Sequence, residues 1–437
     1  MTAAARFLPD PSEVSLQHVL VPRQSAPLWE QALISLWFLA SFIPFPNDEL
    51  LLYPLVAYFL GSAALRYEQT LPVALRAWPI LLIPALAIAS TLWSASSTAA
   101  LRLGIMMTAT AVIAIYLCSR LTPREIVRAA FFACAVSAIV ALFEVPKVGT
   151  TEGLYAEKNI FAVRMQLIAM VCLGVALDRG QNTALRLSAL PFVVLTTYLV
   201  IQGESATALL LAGGSIVLMV SIWLVWTNVS KIRHLRSLLV LVAGTVVAAG
   251  GLVVLNLPNN TLLNDGLFLI GKDTTLTNRT VLWADAARLA EQRPWLGVGA
   301  AGFWTPLNGD AESILAYSHK RPGTKFSFHS VYYESLVHLG RVGLAFMIVQ
   351  IGWVLSGAVR HWLRVPDMPQ AFLVLIAVST FAVTFTESVL FGVIDIGIVL
   401  FLVAGVSAVA EPARFRQVLA PPPPPMPPLP DVIAARP

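Results

Sequence analysis

The 437-residue chain is 57% hydrophobic and 12% charged. Soluble domains carry about 45–50% apolar and about 25% charged residues, so that balance excludes a soluble globular protein. Cys118, Cys134 and Cys172 all fall within apolar runs, which implies no disulfide framework.

Apolar runs of about 17–25 residues are long enough to cross a bilayer as helices. About twelve are legible, at 29–45, 50–65, 77–93, 99–118, 126–143, 160–177, 185–201, 208–226, 235–255, 329–357, 369–385 and 389–409. The first follows a polar leader without a short h-region and cleavage site, so it is expected to be a retained span. The expected fold class is therefore all-α: a polytopic integral membrane protein of about twelve transmembrane helices. Its expected divisions are a leader at 1–27, a membrane domain at 28–411 and a tail at 412–437.

The net charge of +5 is informative through its placement. Alternate connections hold Arg66 and Arg76; Arg120 and Arg124; Arg179; Lys231, Arg233 and Arg236; then Arg360 and Arg364. Arg414 and Arg416 follow the last run, while the other short connections hold Asp48, Glu49, Glu204 or Glu387. Lys and Arg accumulate in cytoplasmic loops, which places both termini in the cytoplasm.

Two connections on the outer side are long: "EVPKVGTTEGLYAEKN" (144–159) and the larger 256–328, between the ninth and tenth runs. Long loops without function are uncommon. Within the second, 278–293 has the spacing of an amphipathic helix, with Val281, Leu282, Ala286 and Leu289 recurring and Thr277 or Asn278 as N-cap. It either roofs a cavity or packs as an ordinary helix. Pro294 stops it, and Gly297, Gly299 and Gly302 are expected to form a flexible turn. The "PPPPPMPPLP" segment predicts a disordered tail. The chain shows no Walker motif, no Cys/His metal spacing and no nucleic-acid signature.

A charge at the centre of a membrane helix costs at least about 2.5–3.5 kcal/mol, so it faces a cavity or a partner by default. Lys158, Asn159 and Arg164 open the sixth run, Arg279 opens the amphipathic helix, and His329, Tyr332, Tyr333 and Glu334 open the tenth. The i, i+3, i+4 spacing of His329, Tyr332 and Tyr333 gathers them on one face. Glu334 is rotated away and is expected to meet a neighbouring basic residue. Tyrosines at such a level also serve as interfacial anchors. Arginines here either hold an anion, above all a phosphate, by forked hydrogen bonds, or pair with Glu144, Glu157, Glu334 or Glu387. A nearby histidine can take a proton from a hydroxyl.

In "NRTVLWADAARLAEQRPWLGVGAAGF" and "HSVYYESLVHLGRVGL" the chain resembles the O-antigen ligase and polymerase superfamily. The matching positions are Arg279, Trp283, Pro294, Gly297, Gly299, His329, Ser330, Gly340 and Gly343. "EKNIFA" is similar to the Lys-Asn element of exopolysaccharide polymerases. Two positions depart from the family pattern: His338 stands where members carry Glu, and Ala206 where many carry a basic residue, a role Arg164 is placed to assume.

The resemblance implies a metal-independent, inverting glycosyl transfer without cofactor, at the periplasmic face of a bacterial inner membrane. His329 and Arg279 would be catalytic. Lys158, Asn159, Arg164, Tyr332, Tyr333 and Glu334 would bind the diphosphate or glycan. The implied partners are an undecaprenyl-diphosphate-linked glycan donor, a glycan acceptor, membrane lipid, a chain-length regulator and a flippase. A polymerase and a ligase to lipid A-core differ only in acceptor, and "EKN" favours the polymerase. Other readings are a metal-dependent sugar transferase using Asp48 and Glu49, and a secondary transporter, though matched inverted halves are not visible.

Overall fold

The computed structural model describes residues 18–22, 26–43, 47–149, 153–155, 158–229, 279–306, 308–324, 326–410 and 415–419, with 238, 241 and 245. In chain order the helices are α1 (Leu28–Phe42), α2 (Glu49–Leu65), α3 (Tyr67–Arg76), α4 (Leu82–Ala89), α5 (Ser97–Arg120), α6 (Pro123–Glu144), α7 (Lys158–Leu177), α8 (Thr183–Gln202) and α9 (Ala206–Val229). They continue as α10 (Arg279–Gln292), α11 (Gly309–Tyr317), α12 (Val331–Arg364), α13 (Met368–Val383) and α14 (Ile396–Ala410). A two-stranded antiparallel ribbon pairs β1 (His18–Pro22) with β2 (Phe415–Leu419). The ribbon joins 18–22 of the expected leader to 415–419 of the expected tail; the "PPPPPMPPLP" segment, expected to be disordered, lies outside the described residues.

Every expected apolar run except 235–255, most of which lies outside the described residues, is met by an apolar helix. By length and composition, five suffice alone to cross a membrane: Ser97–Arg120, Pro123–Lys147, Lys158–Leu177, Thr183–Gln202 and Val331–Arg364. Glu49–Leu65 and Tyr67–Arg76 would add a sixth if counted as one span, but the pair bends by 95°. Apart from α9, whose helix runs 24 residues, the others, such as Met368–Val383, are 10–17 residues long. At about 1.5 Å per residue they fall short of a core about 30 Å thick, so twelve full spans are not established. At the coarser level the described residues form a helical membrane protein, with the short ribbon as the exception.

Small residues set the helix spacing. A Cβ at Gly104 would meet Ile88 of α4 at 2.6 Å, and one at Gly405 would meet the Val354 Cα at 2.9 Å. Close backbone approach of this kind is how helices associate where lipid removes the hydrophobic drive. In this way α5 packs on α4 and α14, α12 on α13 and α14, and α7 on α6, α8 and α9.

Two of the arginines that carried the orientation argument are tied down. Arg120 donates to the buried Glu30 at 3.0 Å, where Tyr116 also donates, and Arg124 pairs with Asp178 at 2.6 Å. At the same connections, Thr122 and Glu125 form a capping box on α6, and Asn182 and Asp367 cap α8 and α13.

Outside this bundle a second core forms between α10, α11 and the start of α12. Leu282, Ala286 and Leu289 of α10 are buried with Phe303, Ile314, Phe328 and Val337. The amphipathic helix is real, although Val281 is 53% exposed and lies off its buried face. The expected N-cap residues Thr277 and Asn278 lie outside the described residues.

Candidate active site

The apolar run that begins α12 is broken at Gly340, whose φ of 67° and ψ of −163° are non-helical. That combination is essentially restricted to glycine. The break leaves backbone groups without helical partners, and the 294–299 turn supplies them. Arg341 and Val342 N–H donate to the Pro294 and Trp295 carbonyls at 2.8 and 3.2 Å, while Val298 and Gly299 N–H donate to the Val337 and His338 carbonyls at 3.0 and 2.8 Å. A Cβ at Gly340 would overlap the Trp295 carbonyl, and one at Gly299 would meet the Ser94 Cα at 2.5 Å. The expected flexible turn is therefore a fixed one, because its glycines serve backbone-to-backbone contact.

This knot positions the preceding residues. His329 lies before α12, with a φ of 49°, and Ser330 is the N-cap. The expected common face of His329, Tyr332 and Tyr333 does not form, because the left-handed backbone at His329 turns its ring off the helix. Instead His329 Nδ1 meets Glu387 Oε2 at 2.9 Å. Tyr332 shares a hydrogen bond with Thr384 Oγ1 at 3.1 Å, so both reach the connection after α13. Tyr333 stacks on Trp283 with ring centroids 5.6 Å apart, which makes it a packing residue of the outer core.

The other oxygen of Glu387 takes Arg279: Nη2 donates to Oε1 at 2.6 Å. One carboxylate thus draws together two residues 50 positions apart in sequence, and all three side chains are only 14–20% exposed. A carboxylate accepts only, so it fixes the imidazole with its proton on Nδ1 and leaves Nε2 able to accept a proton. Arg279 spends one of its five N–H donors on Glu387. The rest can meet an anion.

Glu387 also lines a cavity of about 500 Å³ between α7, α13, α14 and the 384–395 connection. Its polar lining includes Asn159, Arg164, Ser327, Glu334, Ser388 and Asp395; its apolar wall includes Ile160, Leu167, Met170, Ile376 and Val383. Gln166 and Ser379, hydrogen-bonded at 3.0 Å, line it as well. Arg164 donates to the Phe42 carbonyl at 2.7 Å and faces Asp395 Oδ2 at 3.6 Å, while Asp395 Oδ1 caps α14 by accepting from Gly397 N–H at 2.8 Å. Lys158 is exposed and pairs with Glu204 at 2.6 Å, so Lys158 and Arg164 do not converge.

Glu334 is buried and saturated. It accepts from Phe328 N–H at 2.8 Å and Trp304 Nε1 at 3.2 Å, and its basic partner is His338 at 3.1 Å. Its expected partnership is therefore internal, to the residue standing where the family pattern has Glu. Each acid of the lining (Glu334, Glu387, Asp395) has a basic partner. The site is charge-compensated: of the two roles open to the arginines, Arg279 meets the pairing one, with Glu387. The physical reason is that an unpaired guanidinium in such surroundings is costly.

In the sequence Glu387 is legible as a loop acid and a possible arginine partner, and Asp395 has no role assigned. An acid inside an apolar run, which the expected last span contained, was the signal available. Asp48 and Glu49 lie elsewhere, Glu49 facing Arg102 at 3.8 Å on the surface.

A family model described as O-antigen ligase matches residues 191–348. This interval holds Arg279, the glycine turn, His329 and Gly340. The exopolysaccharide production protein ExoQ of Rhizobium meliloti (strain 1021) is 24% identical over 288 residues, covering 64% of this chain. Together these matches support an O-antigen ligase/polymerase-like superfamily. The chain spans 65% of the ExoQ length, and the family match ends before Glu387 and begins after Arg164.

Proposed function

We propose that the protein extends a surface polysaccharide by transferring a glycan from a polyprenyl-diphosphate donor to the hydroxyl of a second lipid-linked glycan, at the periplasmic face of the inner membrane. The observation that carries this reading is the convergence of Arg279 and His329 on Glu387 at the edge of a cavity with a polar end and an apolar wall. The polar end suits a diphosphate and its sugar, and the apolar wall between helices suits an isoprenoid.

In this mechanism Nε2 of His329 takes the proton of the acceptor hydroxyl. The oxygen attacks the anomeric carbon from the face opposite the leaving group, giving inversion, and the glycosidic bond to phosphate breaks. The departing diphosphate gains negative charge, which fixed donors on Arg279 stabilise more in the transition state than in the ground state. Arg164 and Asn159 would hold the donor at the α7 side. Glu387 would position both groups and stabilise the imidazolium formed.

A second reading, transfer of finished polymer to lipid A-core, is favoured by the O-antigen ligase description of the matched family. The ExoQ likeness and the "EKN" element favour the polymerase. Deleting the gene separates them. The polymerase reading expects loss of long polymer with a single repeat retained, and accumulation of free lipid-linked polymer would transfer the assignment to the ligase.

Arg279→Ala is expected to raise the donor KM and lower kcat. Arg279→Lys should restore little of either, because an ammonium cannot hold Glu387 and a phosphate in one planar fork. Lysine activity equal to wild type would remove the forked contact from the mechanism.

A further inference from the structure

The segment joining α11 to α12 carries His319, Lys320, Arg321 and Lys325 between Ser318 and Phe326, without an acid. His319, Lys320 and Arg321 are exposed. Among the described residues, neither Lys320 nor Arg321 has a carboxylate within ion-pair distance. The segment leads to Phe326, whose ring lines the cavity. Lys320 Nζ lies 6.0 Å from the centroid of that ring, and the His329 ring meets it edge to face at 5.4 Å. One aromatic ring is therefore shared by an exposed ammonium and the candidate base.

We propose that this segment is the acceptor subsite and that it selects a saccharide bearing carboxylate groups. The proposal rests on the reading of His329 as the base. A hydroxyl that gives its proton to His329 belongs to a sugar lying against Phe326, whose apolar face suits the C–H face of a pyranose. A carboxylate on that sugar or its neighbour then lies within reach of Lys320 and Arg321, and the guanidinium offers it a forked contact. The donor enters from the lipid side of α7 and α13, which leaves the segment after α11 to the acceptor. The exposed positive charge also draws an anionic chain toward the site from solution, an attraction that salt screens.

The test uses the full-length protein in lipid nanodiscs. The probes are oligosaccharides cut from the source cell's own surface polymer, either native or with their carboxyl groups reduced to alcohols. Native fragments are expected to bind wild type about tenfold more tightly than the Lys320→Ala/Arg321→Ala variant, each exposed charge contributing a factor of a few. The difference should shrink at high salt, and Lys320→Arg/Arg321→Lys should keep the affinity. Reduced fragments should bind wild type as weakly as native fragments bind the alanine variant. Equal binding of native and reduced fragments overturns the proposal, as does an alanine variant that needs more donor but no more acceptor. Both results leave the His329 reading standing. If His329→Ala extends chains as well as wild type, that reading fails and this inference falls with it.

Discussion

His329→Ala protein is expected to insert in the membrane at the wild-type level and to lose chain extension by about 10²- to 10⁴-fold, the usual contribution of a positioned general base. The magnitude follows from geometry. Nδ1 is committed to Glu387 at 2.9 Å, so Nε2 is the ring nitrogen left to accept a proton. Because His329 holds a left-handed backbone with φ 49°, alanine adds strain of its own. His329→Asn separates the two effects, since asparagine tolerates that conformation and has no basic nitrogen. Both variants should be equally inactive. Glu387→Gln should lower kcat by up to about 10⁴-fold with a smaller change in acceptor KM, because the imidazole loses its fixed tautomer and the imidazolium its counter-charge. Chain-length profiles of reconstituted protein check all three, and a fully active His329→Asn variant would take His329 out of the chemistry.

The second large effect is structural. Gly340→Ala is expected to cost at least about 4 kcal/mol, at the exceptional end for one substitution. Two independent penalties add. The backbone at φ 67°, ψ −163° excludes side chains at a cost of about 1–3 kcal/mol. The new methyl would also overlap the Trp295 carbonyl and Leu296 N, which are backbone atoms held by four hydrogen bonds between the turn and α12. Against a total stability of about 5–15 kcal/mol the variant should yield little monodisperse protein in detergent. Gly352→Ala in the same helix meets nothing within 4 Å and should behave as wild type or better. Wild-type thermal stability of Gly340→Ala in the same assay would show that the knot does not hold the site.

Composition, hydrophobic run length and the alternation of basic loops decided that this is a helical membrane protein. These are summed, local properties of the chain, and tertiary context cannot reverse them. The motif residues Arg279, Pro294, Gly297, His329 and Gly340 were also visible in order along the sequence. What the glycines do was not visible, because the partner of each is backbone some 40 residues away. The same holds for the site. Glu387 reads locally as one of four carboxylates that an arginine could meet. Only the packing of α13 beside α12 brings Glu387 between Arg279 and His329. Spacing along one helix predicts which residues share a face. It cannot predict which carboxylate from another segment arrives to compensate them, because that choice is made by the desolvation cost of charges meeting in the folded core.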